Sequence, residues 1–335
     1  MHTNLSFDSL ILLTLCSDII KRKYPVLSYK QYQKLELKIK KSSIKRPIHL
    51  LNSSKEQLIN ILKIKEETAV QLILLLDELL LIIKAIALYE KKGILITTIY
   101  EENYPKIFKE RLNKDNPLIL YYSGNYDLLK FPMISVFGPI QSSNLININT
   151  ELVINKINSE GFLLLSGNNR GVEKKSIDYQ LKIGGNVVLL TSHDLFKIKK
   201  KYQSYLNNSK MLILSHQSPL AEFEVVEAII RNNYIYGLAY ANIIMYTQYN
   251  SGAVWFNAVK NIKYKWCKIL SVIDDEFYGG AKLVEAGAIP VTIEQIISDK
   301  AINKLIEPCK LEEQKSETFF QLSIFEFMED KNEFN

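Results

Sequence analysis

Glycine is missing from the first 92 residues; Gly93 is the first of only 13 in a chain of 335. Strand-rich folds need glycine at their turns, so this absence points to a helical module at the N-terminus. Cysteine is almost as scarce. Cys16, Cys267 and Cys309 are far apart and show no pairwise metal-ligand spacing. That argues against a disulfide framework or a zinc site and fits a reducing compartment. Long apolar runs are lacking too, since the richest window, residues 70–88, is broken by Asp77, Glu78 and Lys84. The apolar stretch 6–15 carries Asp8 with no basic region ahead of it, which does not read as a secretory signal. A cytoplasmic protein with no membrane association is expected.

Groups that make and break bonds are thinly spread. His2, His49, His193 and His216 are dispersed, no Ser sits in a nucleophile elbow, and no carboxylate pair stands out. Gly138 closes an apolar run, but residues 139–143 contain no glycine, so the Gly-x-Gly-x-x-Gly pattern of a dinucleotide loop is absent. No catalytic residue, metal or cofactor is expected, and binding without bond-making is the reading. Arginine is rare as well, five of the 42 basic residues. A chain that leans on Lys places its planar guanidinium groups sparingly, and a guanidinium is what bidentate phosphate recognition requires.

The residues that are present suffice for a large core. Hydrophobic residues make up 47% of the chain and charged ones 23%, enough for about two domains. The net charge of +6 permits a polyanionic partner. Residues 5–22, 28–41, 54–62 and 66–91 have helical character, with Ser54 and Gln57 forming a capping box. A short strand follows Gly93, then Tyr104 and Pro105, then the run 118–122. From Phe131 the rhythm alternates. Apolar runs at 133–137, 162–165, 186–190, 211–215, 242–247 and 267–272 are separated by helix-length segments such as 147–160, 222–235 and 253–264. Near-continuous apolar strands imply burial on both faces. The fold class is therefore α/β, a Rossmann-like doubly wound, mostly parallel sheet preceded by a small all-helical domain. The expected divisions are a helical domain of the SAM/HhH type at 1–92, the sheet domain at 93–295, and a flexible tail at 296–335.

Residues 166–171, Ser-Gly-Asn-Asn-Arg-Gly, follow directly on an apolar run and precede a helical segment. That is how a parallel sheet presents a ligand at its strand ends. Ser166, Gly167, Arg170 and Gly171 are candidate phosphate contacts, with a helix cap or a surface ion pair as the alternative for Arg170. Gly138, where a backbone can approach a ligand, and Ser251 and Gly252, whose amides precede a helix, belong to the same expectation. Arg231 and Asn232 offer a cation and an amide, although Glu224 or Glu227 is an alternative partner for Arg231. Lys197, Lys199, Lys200 and Lys201, followed by Tyr202 and Tyr205, are either a nucleic-acid track or a solvated face.

With these residues in view, the chain resembles the DNA-processing protein A (DprA) family over residues 10–291. The segment Leu120-Tyr121-Tyr122-Ser123-Gly124-Asn125 after Tyr104 and Pro105 is similar to the family's entry segment. Residues 166–173 resemble its Ser-Gly-x-Ala-Arg-Gly-Ile-Asp signature, and Arg231, Asn232 and Asn233 its Arg-Asn-Arg element. Ser251 and Gly252 match its Ser-Gly turn, and Gly279, Gly280, Leu283, Gly287 and Ala288 its closing motifs. The departures are specific. Ile140 stands where the family has an Arg, Asn233 replaces a second Arg, Glu173 replaces an Asp, Ile177 a His and Ala281 an Asn. The resemblance implies a protein, often a dimer, that coats single-stranded DNA and helps load a RecA-type recombinase during natural transformation. Affinity weaker than in a typical member is expected.

In the tail, Gln321-Leu322-Ser323-Ile324-Phe325 is similar to the pentapeptide with which bacterial proteins bind the replicative sliding clamp. Leu322, Ile324 and Phe325 would be its apolar anchors and Gln321 its orienting amide. The alternative is a terminal helix packing back on the core. The rival function is a nucleotide-binding sensor or nucleotide hydrolase of the related phosphoribohydrolase-like superfamily. The turn at 250–253 has one glycine, and no Glu follows it in 254–261, which disfavours hydrolysis.

Overall fold

The structure, a computed structural model, describes residues 5–274 and 277–307. Its described residues divide into two compact units, one drawn from 1–127 and 189–231, the other from 128–188 and 232–335.

The first unit opens with five helices, α1 (Phe7–Cys16), α2 (Tyr29–Lys41), α3 (Lys55–Leu62), α4 (Glu66–Leu76) and α5 (Leu79–Lys91). Serine starts three of them. Ser6 accepts from the Ser9 amide, and Ser28 with Gln31 and Ser54 with Gln57 form reciprocal capping boxes. Two expectations change here, and Arg22 is the reason for both. Its guanidinium donates to the carbonyls of Leu13, Thr14 and Ser17, so α1 ends at Cys16 instead of running to residue 22. It also holds Glu78 at 2.7 Å, at the break that divides residues 66–91 into two helices. Arg46 is likewise internal to this unit, donating through Nε and Nη2 to Asp8.

These helices share their unit with β1 (Leu95–Thr98), α6 (Lys106–Leu112), β2 (Ile119–Gly124), α9 (Leu195–Lys201), α10 (Gln203–Asn207) and β6 (Met211–Ser215). Strand β2 pairs antiparallel with β1 on one side and with β6 on the other. Strand β5 (Val187–Thr191) and helix α11 (Val225–Leu238) each contribute residues to both units.

The second unit holds β3 (Met133–Phe137), α7 (Asn144–Ser159), β4 (Leu163–Ser166), α8 (Val172–Lys182), β7 (Ala241–Ile244), α12 (Gly252–Tyr264), β8 (Lys268–Val272), α13 (Gly279–Glu285) and β9 (Ile289–Val291). These strands run in the order β4-β3-β7-β8-β9, and all four pairings are parallel. The connection β3–α7–β4 leaves β3 in one direction, and β7–α12–β8 runs in the other. Right-handed crossovers then set α7 and α12 on opposite faces and open a crevice at the carboxyl ends of β3 and β7. This is the Rossmann-like doubly wound sheet expected from the sequence. Its strands are buried almost throughout, as near-continuous apolar runs require.

Two short helices, α14 (Ile293–Ile297) and α15 (Ile302–Ile306), follow β9. Thr292 and Gln295 form a capping box for α14, and Ile302, Leu305 and Ile306 of α15 are buried. Residues 296–307, read from the sequence as the start of the tail, thus carry packed structure.

Candidate nucleic-acid interface

Strand β4 ends at Ser166, and the loop after it is organised by an acid from the first turn of α8. The Glu173 carboxylate is buried, 4% exposed. It accepts the Gly167 backbone N–H at 2.9 Å, the Asn169 side-chain amide at 2.6 Å and the Ser166 hydroxyl at 3.5 Å. Asn168 takes a positive φ of 61°, and its amide returns to the Ser166 oxygen at 3.3 Å. A negative charge is favoured at a helix N-terminus. Here the protein supplies that anion itself, and Ser166 and Gly167, read from the sequence as phosphate contacts, are engaged by Glu173.

The next turn is locked by two glycines. Gly171 has φ +74°, and a Cβ placed there would stand 2.2 Å from the Pro139 carbonyl oxygen. The Val172 amide donates to that same oxygen at 3.3 Å. A Cβ on Gly138 would meet a Val172 methyl at 2.6 Å. The space that Gly138 opens at the end of β3 is therefore filled by α8, and the two loops interlock. Gly138 and Gly171 serve close packing rather than the approach of a ligand.

On this rigid support Arg170 is exposed and makes no hydrogen bond or ion pair among the described residues. It neither caps a helix nor meets an acid, in contrast to Arg22 and Arg46. Ile140 lies on the adjoining loop, 67% exposed. Because β4 and β7 both flank β3 in parallel register, the Arg170 loop and the loop after β7 border the same edge of the sheet. In that second loop, residues 248–253 are exposed. Ser251 is the N-cap of α12 but makes no side-chain capping bond, and Gly252, at φ +75°, has open space around it. Two features point outward from this edge, an unpaired guanidinium and an uncapped helix start. Both suit an oxyanion.

Aromatic rings stand beside the helix start. Tyr249 packs against Trp255 at 5.0 Å and Tyr278 at 6.3 Å, each nearly perpendicular. Neither tyrosine is marked in the sequence, because the two are far apart in the chain and neither belongs to a spaced motif. In the sequence Glu173 is only a departure from the family's Asp, since nothing there shows that the carboxylate folds back on Gly167.

Arg231, in the first unit, is buried, 3% exposed. Its expected partner Glu227 is engaged by His216 Nε2 at 2.8 Å and by the Gln217 amide. Burial holds His216 below the ordinary imidazole range, with Arg231 acting in the same direction and Glu227 opposing. Glu227 is held below the usual carboxylate range, chiefly by the hydrogen bond from His216. The pair is thus a neutral imidazole donating to a carboxylate. Asn232, assigned to the second unit, is also buried. Lys199 and Lys200 occupy the last turn of α9 in the first unit. There Lys199 bonds Gln203 and lies against Gly93, level with the N-terminal half of β6 and away from its carboxyl end. In the same unit Phe223, 60% exposed, meets the His193 ring edge-on at 5.1 Å.

A cleft of about 720 Å³ in the first unit is lined by Glu90, Glu101 and Glu102 with Tyr100 and Tyr122, an acidic lining unsuited to phosphate. Among the described residues no cluster of His, Cys, Asp or Glu could hold a metal, and no helix is long and apolar enough to cross a membrane. Gln321, Leu322, Ile324 and Phe325 lie outside the described residues.

Comparison with known proteins agrees with the fold. A family model described as DNA recombination-mediator protein A matches residues 95–301. The DNA processing protein DprA of Streptococcus pneumoniae (strain ATCC BAA-255 / R6) is 31% identical over 144 residues, 42% of this chain; the match spans half the length of that relative. Among solved structures, DNA processing protein A from Streptococcus pneumoniae is similar with a TM-score of 0.65 at 19% identity, covering 88% of this chain and 98% of that one. DNA processing protein A from Helicobacter pylori, described for its single-stranded DNA binding mode, is similar with a TM-score of 0.50 at 22% identity, covering 60% of this chain and 94% of that one. At these identities the two structures speak for the fold.

Proposed function

We propose that this chain, which belongs to the DNA recombination-mediator protein A family, binds single-stranded DNA along the carboxyl edge of the parallel strands in its second unit. The observation that carries this reading is Arg170, an exposed guanidinium with no acid partner among the described residues, on a loop that Glu173 and Gly171 hold rigid. A preorganised Arg loses little on contacting a phosphate, and its fork suits two phosphate oxygens. The open first turn of α12 at Ser251 and Gly252 supplies backbone donors on the same sheet edge. Ser166, Gly167, Gly138 and Gly171 shape the edge. Lys199 and Lys200 contribute to the general positive charge rather than to this contact.

The test is fluorescence anisotropy of a labelled single strand at low and high salt, with duplex as control. Salt-sensitive binding that favours the single strand supports the reading, and no binding at low salt sinks it.

The family and the ligand together suggest a role in DNA processing and recombination, in the cytoplasm, by loading a RecA-type recombinase, with natural transformation as one setting. A homodimer is part of this proposal. So is the division into a helical module at 1–92, a sheet domain at 93–295 and a tail from 296 that engages a replicative sliding clamp through residues 321–325. A Gln321→Ala, Phe325→Ala double variant that still binds immobilised clamp as well as the parent removes the last element.

A further inference from the structure

We infer that Tyr249 and Tyr278 form a stacking platform for an unpaired nucleobase, a subsite of the proposed single-stranded DNA edge and resting on that reading. The two rings come from loops after different strands, β7 and β8, and meet at 6.3 Å and 73°. Both are open to solvent, Tyr249 by 40% and Tyr278 by 55%. Single exposed aromatics are ordinary, but these two belong to a built cluster. Trp255, 4% exposed, braces Tyr249 from below at 5.0 Å. Lys282, itself paired with Glu285, lies over the Tyr278 ring at 5.1 Å.

Gly279 brings the rings together. A Cβ there would stand 2.3 Å from the Thr247 carbonyl oxygen, so only glycine lets the residues around 278 press onto the loop after β7. Rings fixed in this way lose little freedom when a flat partner arrives. Every base offers a π-face, and base–aromatic stacking is the sequence-tolerant part of single-strand binding. Tyr249 also lies two residues ahead of Ser251, at the open start of α12. A phosphate held at that turn places the neighbouring base within reach of the platform. An apolar protein side chain is the competing occupant, and it would not distinguish base-bearing from base-free strands.

The experiment measures binding of a labelled oligothymidylate and of an abasic phosphodiester of equal length and charge. The proteins compared are the parent, Tyr249→Ala, Tyr278→Ala, the double Ala variant and the two Tyr→Phe variants. Each Ala variant should lose roughly 5- to 100-fold in affinity for the base-bearing strand, keep the parent's affinity for the abasic strand, and be rescued by Phe. Quenching of tryptophan emission by the base-bearing strand alone, in the parent, is the second readout and does not depend on a variant folding. Equal binding by the double variant, equal losses on both strands, or no selective quenching overturns the platform. A parent that binds neither strand overturns the single-stranded DNA reading and the platform with it. A parent that binds while the variants are indifferent overturns the platform alone.

Discussion

The Glu173 carboxylate accepts the backbone N–H of Gly167 at 2.9 Å and so closes the loop after β4 on its own helix. The second carboxylate oxygen takes the Asn169 amide, while Arg170 of this turn is exposed and has no partner among the described residues. Stability and binding are therefore divided between adjacent residues of one loop, and separate substitutions should resolve them.

Glu173→Ala leaves the Gly167 amide and the Asn169 side chain without their acceptor in a buried setting. A loss of about 1–3 kcal/mol is expected, read as a lower urea midpoint, together with weaker single-strand binding because Arg170 loses its support.

Gly171→Ala forces a side chain into a left-handed backbone and against the Pro139 carbonyl. The expected cost is about 1–3 kcal/mol or more. Gly161, also at positive φ but with nothing within 4 Å, is the internal comparison, and Gly161→Ala should cost less.

Arg170→Ala should leave the unfolding midpoint unchanged, weaken single-strand affinity and lower the salt slope by about one unit. Arg22→Ala should do the reverse, since it strips Glu78 of its partner in a largely buried pair, at about 3–5 kcal/mol. If Arg170→Ala alters neither affinity nor slope, its assignment to phosphate is wrong.

Acid should destabilise the protein in two steps. His216 is held below its ordinary value of 6.5, so below that pH the unfolded chain takes up a proton that the native state resists. Stability therefore falls as pH drops from about 6.5. Glu227 is held below 4.5, and its contribution, present above that value, is lost at lower pH. His193, also lowered by burial, adds to the first step, so His216→Gln should reduce that step without abolishing it. Denaturant titrations at stepped pH measure both.

Much of the fold was legible because it depends on local pattern. The runs at 133–137 and 211–215 became β3 and β6 with the expected bounds. Ser54 and Gln57 cap α3 as their spacing implies. The break in the helical stretch 66–91 is not legible in the sequence, because it is stabilised at Glu78 by Arg22, 56 residues earlier, and periodicity carries no trace of such a partner. Strand β9 is not legible in the sequence, because three residues that include Pro290 make no pattern, and pairing with the neighbouring β8 gives them their identity.

Of the candidate interface, the sequence by itself determined the strand-end position of residues 166–171, the rarity of Arg and the identity of the glycines. Each is a property of nearest neighbours along the chain or of composition. Tertiary structure alone decided what those residues do. It turned Glu173 back onto Gly167, filled the room beside Gly138 with Val172, and buried Arg231 while leaving Arg170 exposed. It also set Tyr278 beside Tyr249 by way of Gly279. Hydrogen bonds, ion pairs and ring contacts act over a few ångströms of space whatever the separation in sequence. Which polar group keeps a free face is therefore fixed only when the strands have set their loops side by side.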